Sequence, residues 1–155
     1  MLKTLVSQGV RFVVIGGIAA TLHGSPSFTL DLDICHSRDL DNLERLEASQ
    51  KQLGAKLRGA PDDLPFLLDA RTLPAGDNFT FVTTLGDLDC VGTPAGTRGF
   101  DDLNSNAVEM DVDGMKVRVV SINDLIRMKR ASGRPKDRIE LEVLGALREE
   151  LEKDS

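Results

Sequence analysis

The chain has 155 residues, 41% of them hydrophobic, with six Phe and neither Trp nor Tyr. That is enough apolar material for one core in one domain, 1–155, and it excludes global disorder and surfaces built on aromatic stacking platforms. A net charge of −6 disfavours a general nucleic-acid coat, and the spacing of the two cysteines excludes a disulfide scaffold or a zinc module.

In chain order, Met1 to Gln8 reads as a short helix ended near Gly9. RFVVIGG is β-branched and closed by glycines, so it reads as a strand, and IAATLHG as a helix packed behind it. Gly24-Ser25-Pro26-Ser27 is a turn, and FTLDLDIC alternates as a strand should. Asp39 is placed to cap the next helix, which carries Leu43, Leu46 and Leu53 on one face. AKLRG and FLLDARTL are short strand candidates.

FTFVTTLGDLDCVG then reads as a hairpin turning near Leu85-Gly86, and TPAGTRGFDDLNSN as a loop with a helical turn. Asp113-Gly114 marks a second hairpin. Ser121 caps a helix through INDLIRMKRA, with Asp124 three residues later. Gly133 and Pro135 break the chain before a last helix, 136–152, striped with Ile139, Val143, Leu144, Leu147 and Leu151. Strands and helices mixed with hairpins give an α+β (mixed α/β) fold, a central mixed sheet flanked by helices. No stretch reaches the ~18 apolar residues of a membrane span, and MLKTLVSQGVRF lacks a leader's apolar run, so a cytoplasmic setting is expected.

Two aspartates interrupt the FTLDLDIC strand. Strand alternation puts Asp31 and Asp33 on one face and Leu30, Leu32 and Ile34 on the other. Such a pair can be a solvated strand end, or two hard oxygen ligands for Mg²⁺ or Mn²⁺ completed by substrate phosphates. GDLDCVG repeats the pattern with Asp87 and Asp89. Asp89 lies deeper in the apolar run and is the better third carboxylate; Asp87 is assigned to the turn. Three such carboxylates on neighbouring strands can hold two metals for phosphoryl or nucleotidyl transfer.

The glycines Gly16-Gly17 offer backbone N–H groups at a helix start, where anions bind, and Gly24-Ser25 offers a second small-residue turn for phosphate. Six basic residues (Arg127, Lys129, Arg130, Arg134, Lys136 and Arg138) and one acid, Asp137, lie between 127 and 138, a local patch suited to phosphate. His23, at a helix end, is more simply structural, and Cys35 and Cys90 more simply core.

IGGIAATLHGSPSFTLDLDI resembles the nucleotidyltransferase superfamily, in its small prokaryotic branch, where a glycine turn and helix precede an Asp-x-Asp strand. INDLIRMKRASGRPKDRIELEVL resembles the C-terminal part of the AbiEii-type nucleotidyltransferases, some of which are toxins of toxin–antitoxin pairs. The likeness runs from about Val13 to Leu144. It implies metal-dependent transfer of an NMP from an NTP to an acceptor hydroxyl on RNA, protein or a small molecule, with Mg²⁺ or Mn²⁺ as cofactor. By the same resemblance Asp31, Asp33 and Asp89 bind metal, and Asp89 activates the acceptor. Gly16, Gly17, Gly24 and Ser25 line the triphosphate, Lys129 contacts phosphate, and Asp137 orients Lys129 or a nucleotide-binding group nearby. Ser27 stands where many members carry arginine. That departure frames the alternatives: a weak or inactive nucleotide- or partner-binding module of the same fold, including a toxin or antitoxin partner, or a phosphohydrolase or nuclease on the same carboxylates.

Overall fold

The computed structural model describes residues 1–26, 28–57, 78–135 and 137–153. Among these, seven strands form one mixed sheet: β1 (Phe12–Ile15), β2 (Leu32–His36), β3 (Lys56–Leu57), β4 (Asn78–Thr83), β5 (Gly86–Val91), β6 (Val108–Val112) and β7 (Met115–Val119), in the order β3-β4-β5-β2-β1-β7-β6. The helices are α1 (Leu2–Ser7), α2 (Gly16–Leu22), α3 (Leu40–Leu53), α4 (Phe100–Asn106), α5 (Ile122–Ser132) and α6 (Asp137–Lys153). The mixed, helix-flanked sheet is the expected α+β architecture. No helix among the described residues is long and apolar enough to cross a membrane.

All four residues of β1 are buried. A strand covered on both faces needs side chains that are apolar throughout, which FVVI supplies. β1 runs antiparallel to β2 and parallel to β7, while β2 runs parallel to β5. The parallel pairings force crossovers, and these place helices over the sheet. On one side α2 packs on β1 and β2 and meets α5, which in turn carries α6; elsewhere α1 packs on α3 and α4 on β1. The two hairpins sit as expected. The β4–β5 turn is at Thr84-Leu85, and the β6–β7 turn takes Asp113 (φ 52°) and Gly114 (φ 81°) in the left-handed region that a two-residue turn requires.

Several expectations are corrected. The second strand begins at Leu32 rather than Phe28: the Asp31 N–H donates to Thr29 Oγ1 (3.1 Å) instead of joining a ladder. Phe28 and Leu30 are therefore exposed, at 84% and 66%. Asp39 holds the N-cap position of α3 without capping it; its carboxylate pairs with Arg11 at 2.8 Å. Asp87 belongs to β5, not to the turn. TPAGTRGFDDLNSN contains a full helix, α4. In α6 the stripe is narrower than its leucine spacing suggests: Leu144 is buried, but Ile139 (72%) and Leu151 (47%) are exposed. FLLDARTL lies outside the described residues. Ser121 does cap α5, its hydroxyl accepting from the Asp124 N–H at 3.1 Å. The Asp124 carboxylate instead turns to Arg127 (3.1 Å) and Asn106.

One buried polar residue ties these layers together. Asn42, fully buried on α3, accepts from the Arg11 N–H at 2.6 Å and donates to the carbonyls of Arg11 (3.1 Å) and Ser37 (2.8 Å). It thus fixes α3 against the start of β1 and the end of β2. Removing it takes a partner from the Arg11 N–H and from the Ser37 carbonyl, while the Arg11 carbonyl keeps the Ser37 N–H at 3.2 Å; a buried group left without a substitute costs about 1–3 kcal/mol. Asn42→Ala is expected to lower the unfolding free energy by at least about 2 kcal/mol in urea denaturation at unchanged slope; a loss below about 0.5 kcal/mol would refute this assignment.

Candidate active site

The parallel register of β2 and β5 sets Asp33 directly beside Asp89, and the antiparallel register of β1 sets it opposite Ile15, the residue before Gly16. Three central strands therefore deliver two carboxylates and a glycine turn to one sheet end. Gly16 has φ +69°, and a Cβ there would lie 2.1 Å from Asp33 Oδ2. Only glycine permits both the conformation and the approach. Gly17 is similarly constrained, since its Cβ would fall 2.9 Å from Thr29 Cγ2. The two glycines are the first residues of α2 rather than a loop ahead of it.

Asp33 and Asp89 share a hydrogen bond, and burial, that bond and the charges of Asp89 and Asp31 raise Asp33 to about 7. Lys129 acts against them. Two ionised carboxylates this close repel, and a proton held between them removes the repulsion. On the other side Thr80 Oγ1, from β4, donates to Asp89 Oδ1 at 2.5 Å. Asp89 is thus held from both flanks. Burial and the neighbouring aspartates also push the Cys90 thiol far up, so it remains a neutral core residue.

A cavity of ≈ 340 Å³ opens beside the pair. Asp33, Asp89 and Thr80 line it on the sheet side, Met128, Lys129 and Arg134 on the α5 side. A smaller cavity of ≈ 70 Å³ between α2, α5 and α6 has Gly16, Gly17, Ser25, Lys129 and Glu140 along one part of its lining and an apolar wall of Ala20, Leu125, Ile139, Val143 and Leu144. Gly16 and Lys129 border both. Lys129 Nζ pairs with Glu140 Oε2 at 2.5 Å.

The structure thus gathers Gly16, Gly17, Ser25, Asp33, Asp89 and Lys129 around two adjoining cavities. The other candidate residues are placed differently. Asp31 precedes β2, and its Oδ1 accepts from the Asp87 N–H at 3.2 Å, so it acts on Asp33 by charge from the hairpin side. The Gly24 and Ser25 N–H groups donate to the carbonyls of Thr21 (3.0 Å) and Ala20 (2.9 Å), closing α2 as a Schellman cap, so this turn's backbone donors are engaged in the helix. Gly24 itself packs toward Leu147. His23 Nε2 meets the Val120 carbonyl at 2.7 Å, a structural tie between α2 and the end of β7. Asp137 opens α6, but its side chain, like Ser27, lies outside the described residues.

Sequence reasoning passed over Thr80 and Glu140. Thr80 sits in a hairpin read only for its apolar pattern. Glu140 carried a signal, three residues after Asp137 and one helical turn into α6.

Among the described residues no three His, Cys, Asp or Glu side chains converge closely enough to hold a metal ion alone. Two do adjoin, Asp33 and Asp89, with Asp31 near. A half-buried pair of hard oxygen donors that shares a proton suits a divalent cation completing its shell with substrate oxygens, the usual arrangement for Mg²⁺.

Because Asp33 keeps a proton to about pH 7 while the unfolded chain loses it near pH 4, stability falls as pH rises through that interval, and the full cost is present at pH 8. Allowing for the partial solvent access of the group, this cost is about 1–2 kcal/mol. In chelator-treated protein Asp33→Asn should raise the unfolding free energy at pH 8 by that amount, and the gain should vanish near pH 4. A gain independent of pH would show that the pair does not share a proton.

No protein-family profile matches the chain, and no curated protein matches it significantly. Solved structures do. The lincomycin-bound lincosamide antibiotic adenylyltransferase LnuA superposes with a TM-score of 0.63 at 15% identity, over 94% of this chain and 92% of that one. The antibiotic-resistance factor ANT(2″)-Ia gives 0.58 at 18%, over 99% and 88%. A Thermotoga maritima protein described as a nucleotidyltransferase gives 0.58 at 18%, over 97% and 88%. At such identities the likeness is one of architecture: the chain has the fold of the nucleotidyltransferases.

Proposed function

We propose that the protein is a metal-dependent nucleotidyltransferase that moves an NMP from an NTP to an acceptor hydroxyl. The observation that carries this is the register pairing of Asp33 with Asp89 beside Gly16, at the mouth of a cavity that Lys129 and Arg134 also line. Carboxylates for a cation, a glycine turn and a lysine are the parts that phosphoryl chemistry needs, since its catalysis is mainly positioning and charge stabilisation.

A divalent cation held by Asp33 and Asp89, with Asp31 nearby, would neutralise charge building on the phosphates. The chain's own groups do the rest. Gly16 and Gly17, whose missing Cβ atoms let the start of α2 close on Asp33 and Thr29, bring that backbone to the border of the cavities where the triphosphate would lie, and Lys129 meets its negative oxygens. The acceptor oxygen attacks the α-phosphorus, the bond from that phosphorus to the bridging oxygen breaks, and pyrophosphate leaves. Asp89, oriented by Thr80, takes the acceptor's proton.

We infer a small acceptor rather than a phosphate-rich one. Arg127 is engaged by Asp102 (3.1 Å) and Asp124 (3.1 Å), and Lys129 by Glu140, so two of the segment's six cations already carry counter-ions and draw RNA less strongly than a charge count suggests. The solved relatives point the same way, one of them holding adenylyl-2″-tobramycin. A place in a toxin–antitoxin pair follows from the sequence resemblance alone. The rival reading, an inactive binding module, is favoured by the lack of a closed three-carboxylate cage among the described residues.

The test incubates the protein with labelled NTPs, Mg²⁺ and pooled hydroxylated small molecules, RNA or protein. Label should move to an acceptor, with release of pyrophosphate. Asp33→Asn and Asp89→Asn should each cut the rate by about 10²–10⁴-fold. NTP binding without transfer to any acceptor would favour the module. Nucleotide release from nucleic acid with no NTP requirement would favour a nuclease.

A further inference from the structure

Glu140 has no role in the chemistry above, yet it pairs with the lysine that the proposed function assigns to the phosphates. It lines the ≈ 70 Å³ cavity with Gly16, Gly17 and Ser25, and its Oε2 lies 2.5 Å from Lys129 Nζ. We propose that Glu140 is an internal competitor for the polyphosphate chain: it holds the Lys129 ammonium that the chain would otherwise take, and so sets the site's affinity for nucleotide. This rests on the nucleotide-binding reading.

Three features support competition rather than positioning. First, α5 itself places Lys129. Leu125 and Ile126 are buried, and Arg127 anchors the helix to Asp102 on α4 at 3.1 Å. Lys129 also lines the cavity that Asp33 and Asp89 border, so it reaches the carboxylate centre from α5. Second, the pair is readily exchanged. The Lys129 side chain is 24% exposed and that of Glu140 48%, and ion pairs with this much solvent contribute about 0–1 kcal/mol. A polyphosphate carries several charges and outbids one carboxylate. Third, Glu140 is held in place. α5 ends at Gly133 in the left-handed region (φ 63°), and α6 packs back with Leu144 buried. Glu140 therefore stays beside the phosphate path after Lys129 leaves it, and like charge opposes binding.

The probe is inorganic tripolyphosphate with Mg²⁺, followed by calorimetry, with NTP in parallel. Glu140→Gln keeps the shape and removes the charge, and should tighten binding roughly 3- to 10-fold, equivalent to about 0.7–1.4 kcal/mol. Glu140→Asp should stay near wild type. In a Lys129→Ala background Glu140→Gln should give less than half of that gain. Thermal denaturation of each variant reports whether it is folded. Equal or weaker binding by folded Glu140→Gln, where wild type binds, overturns the role of Glu140 and leaves the nucleotide reading standing. If neither protein binds tripolyphosphate or NTP, both fall together.

Discussion

The site depends on one register. β2 and β5 run parallel, and their alignment sets Asp33 beside Asp89 in a sheet whose neighbouring positions, Leu32, Ile34, Leu88 and Cys90, are fully buried. A one-residue slip would turn every one of those apolar side chains outward, so the core itself enforces the carboxylate pairing. Two negative groups that repel are thereby held together by hydrophobic burial elsewhere on the same strands. The shared proton and the Thr80 hydroxyl ease that repulsion locally, and a cation would ease it further.

Around this pair the fold works by exclusion. Gly16 has no Cβ because Asp33 Oδ2 fills that volume, and Gly17 has none because Thr29 does. Both glycines are thus needed for packing, and the same short distances bring α2 to the carboxylates. α5 brings Lys129 from the other side, carried by a helix that Ser121 caps and Arg127 anchors. The cavity is the gap left between a sheet end that is negative and a helix that brings Lys129.

Much of this architecture is legible in the sequence because it is written in local patterns. FVVI, the Asp113-Gly114 turn and Ser121 each act over a few residues, and each gives the element that its chemistry suggests. The aspartates of β2 and β5 are legible as a repeated pattern, but their pairing needs the parallel crossover, which no local signal specifies. Side-chain competition is where the reading fails. Asp39 has the right type and place for a cap, and Arg11, twenty-eight residues earlier, takes its carboxylate. FTLDLDIC alternates from its first residue, yet Thr29 captures the Asp31 amide and delays the strand. Gly24-Ser25 has a phosphate turn's composition, but its N–H groups close α2.

The same reasoning applies to the basic segment from Arg127 to Arg138. In sequence it is six cations and one acid; in the fold it meets acids from three other places. Arg127 is taken by Asp102 of α4 and by Asp124 of its own helix, and the Asp102 carboxyl is itself held below the usual range by the Arg98 amide and then by Arg127. Lys129 is taken by Glu140 of α6. A charge count along the chain thus overstates the positive field that a ligand meets, because the helices that bring cations to the site also bring their counter-ions. For these two cations the charge a ligand meets is local and exchangeable, and its strength is set by how readily each carboxylate gives up its partner. That suits recognition of one compact polyanion in a cavity better than attraction of an extended one along a surface.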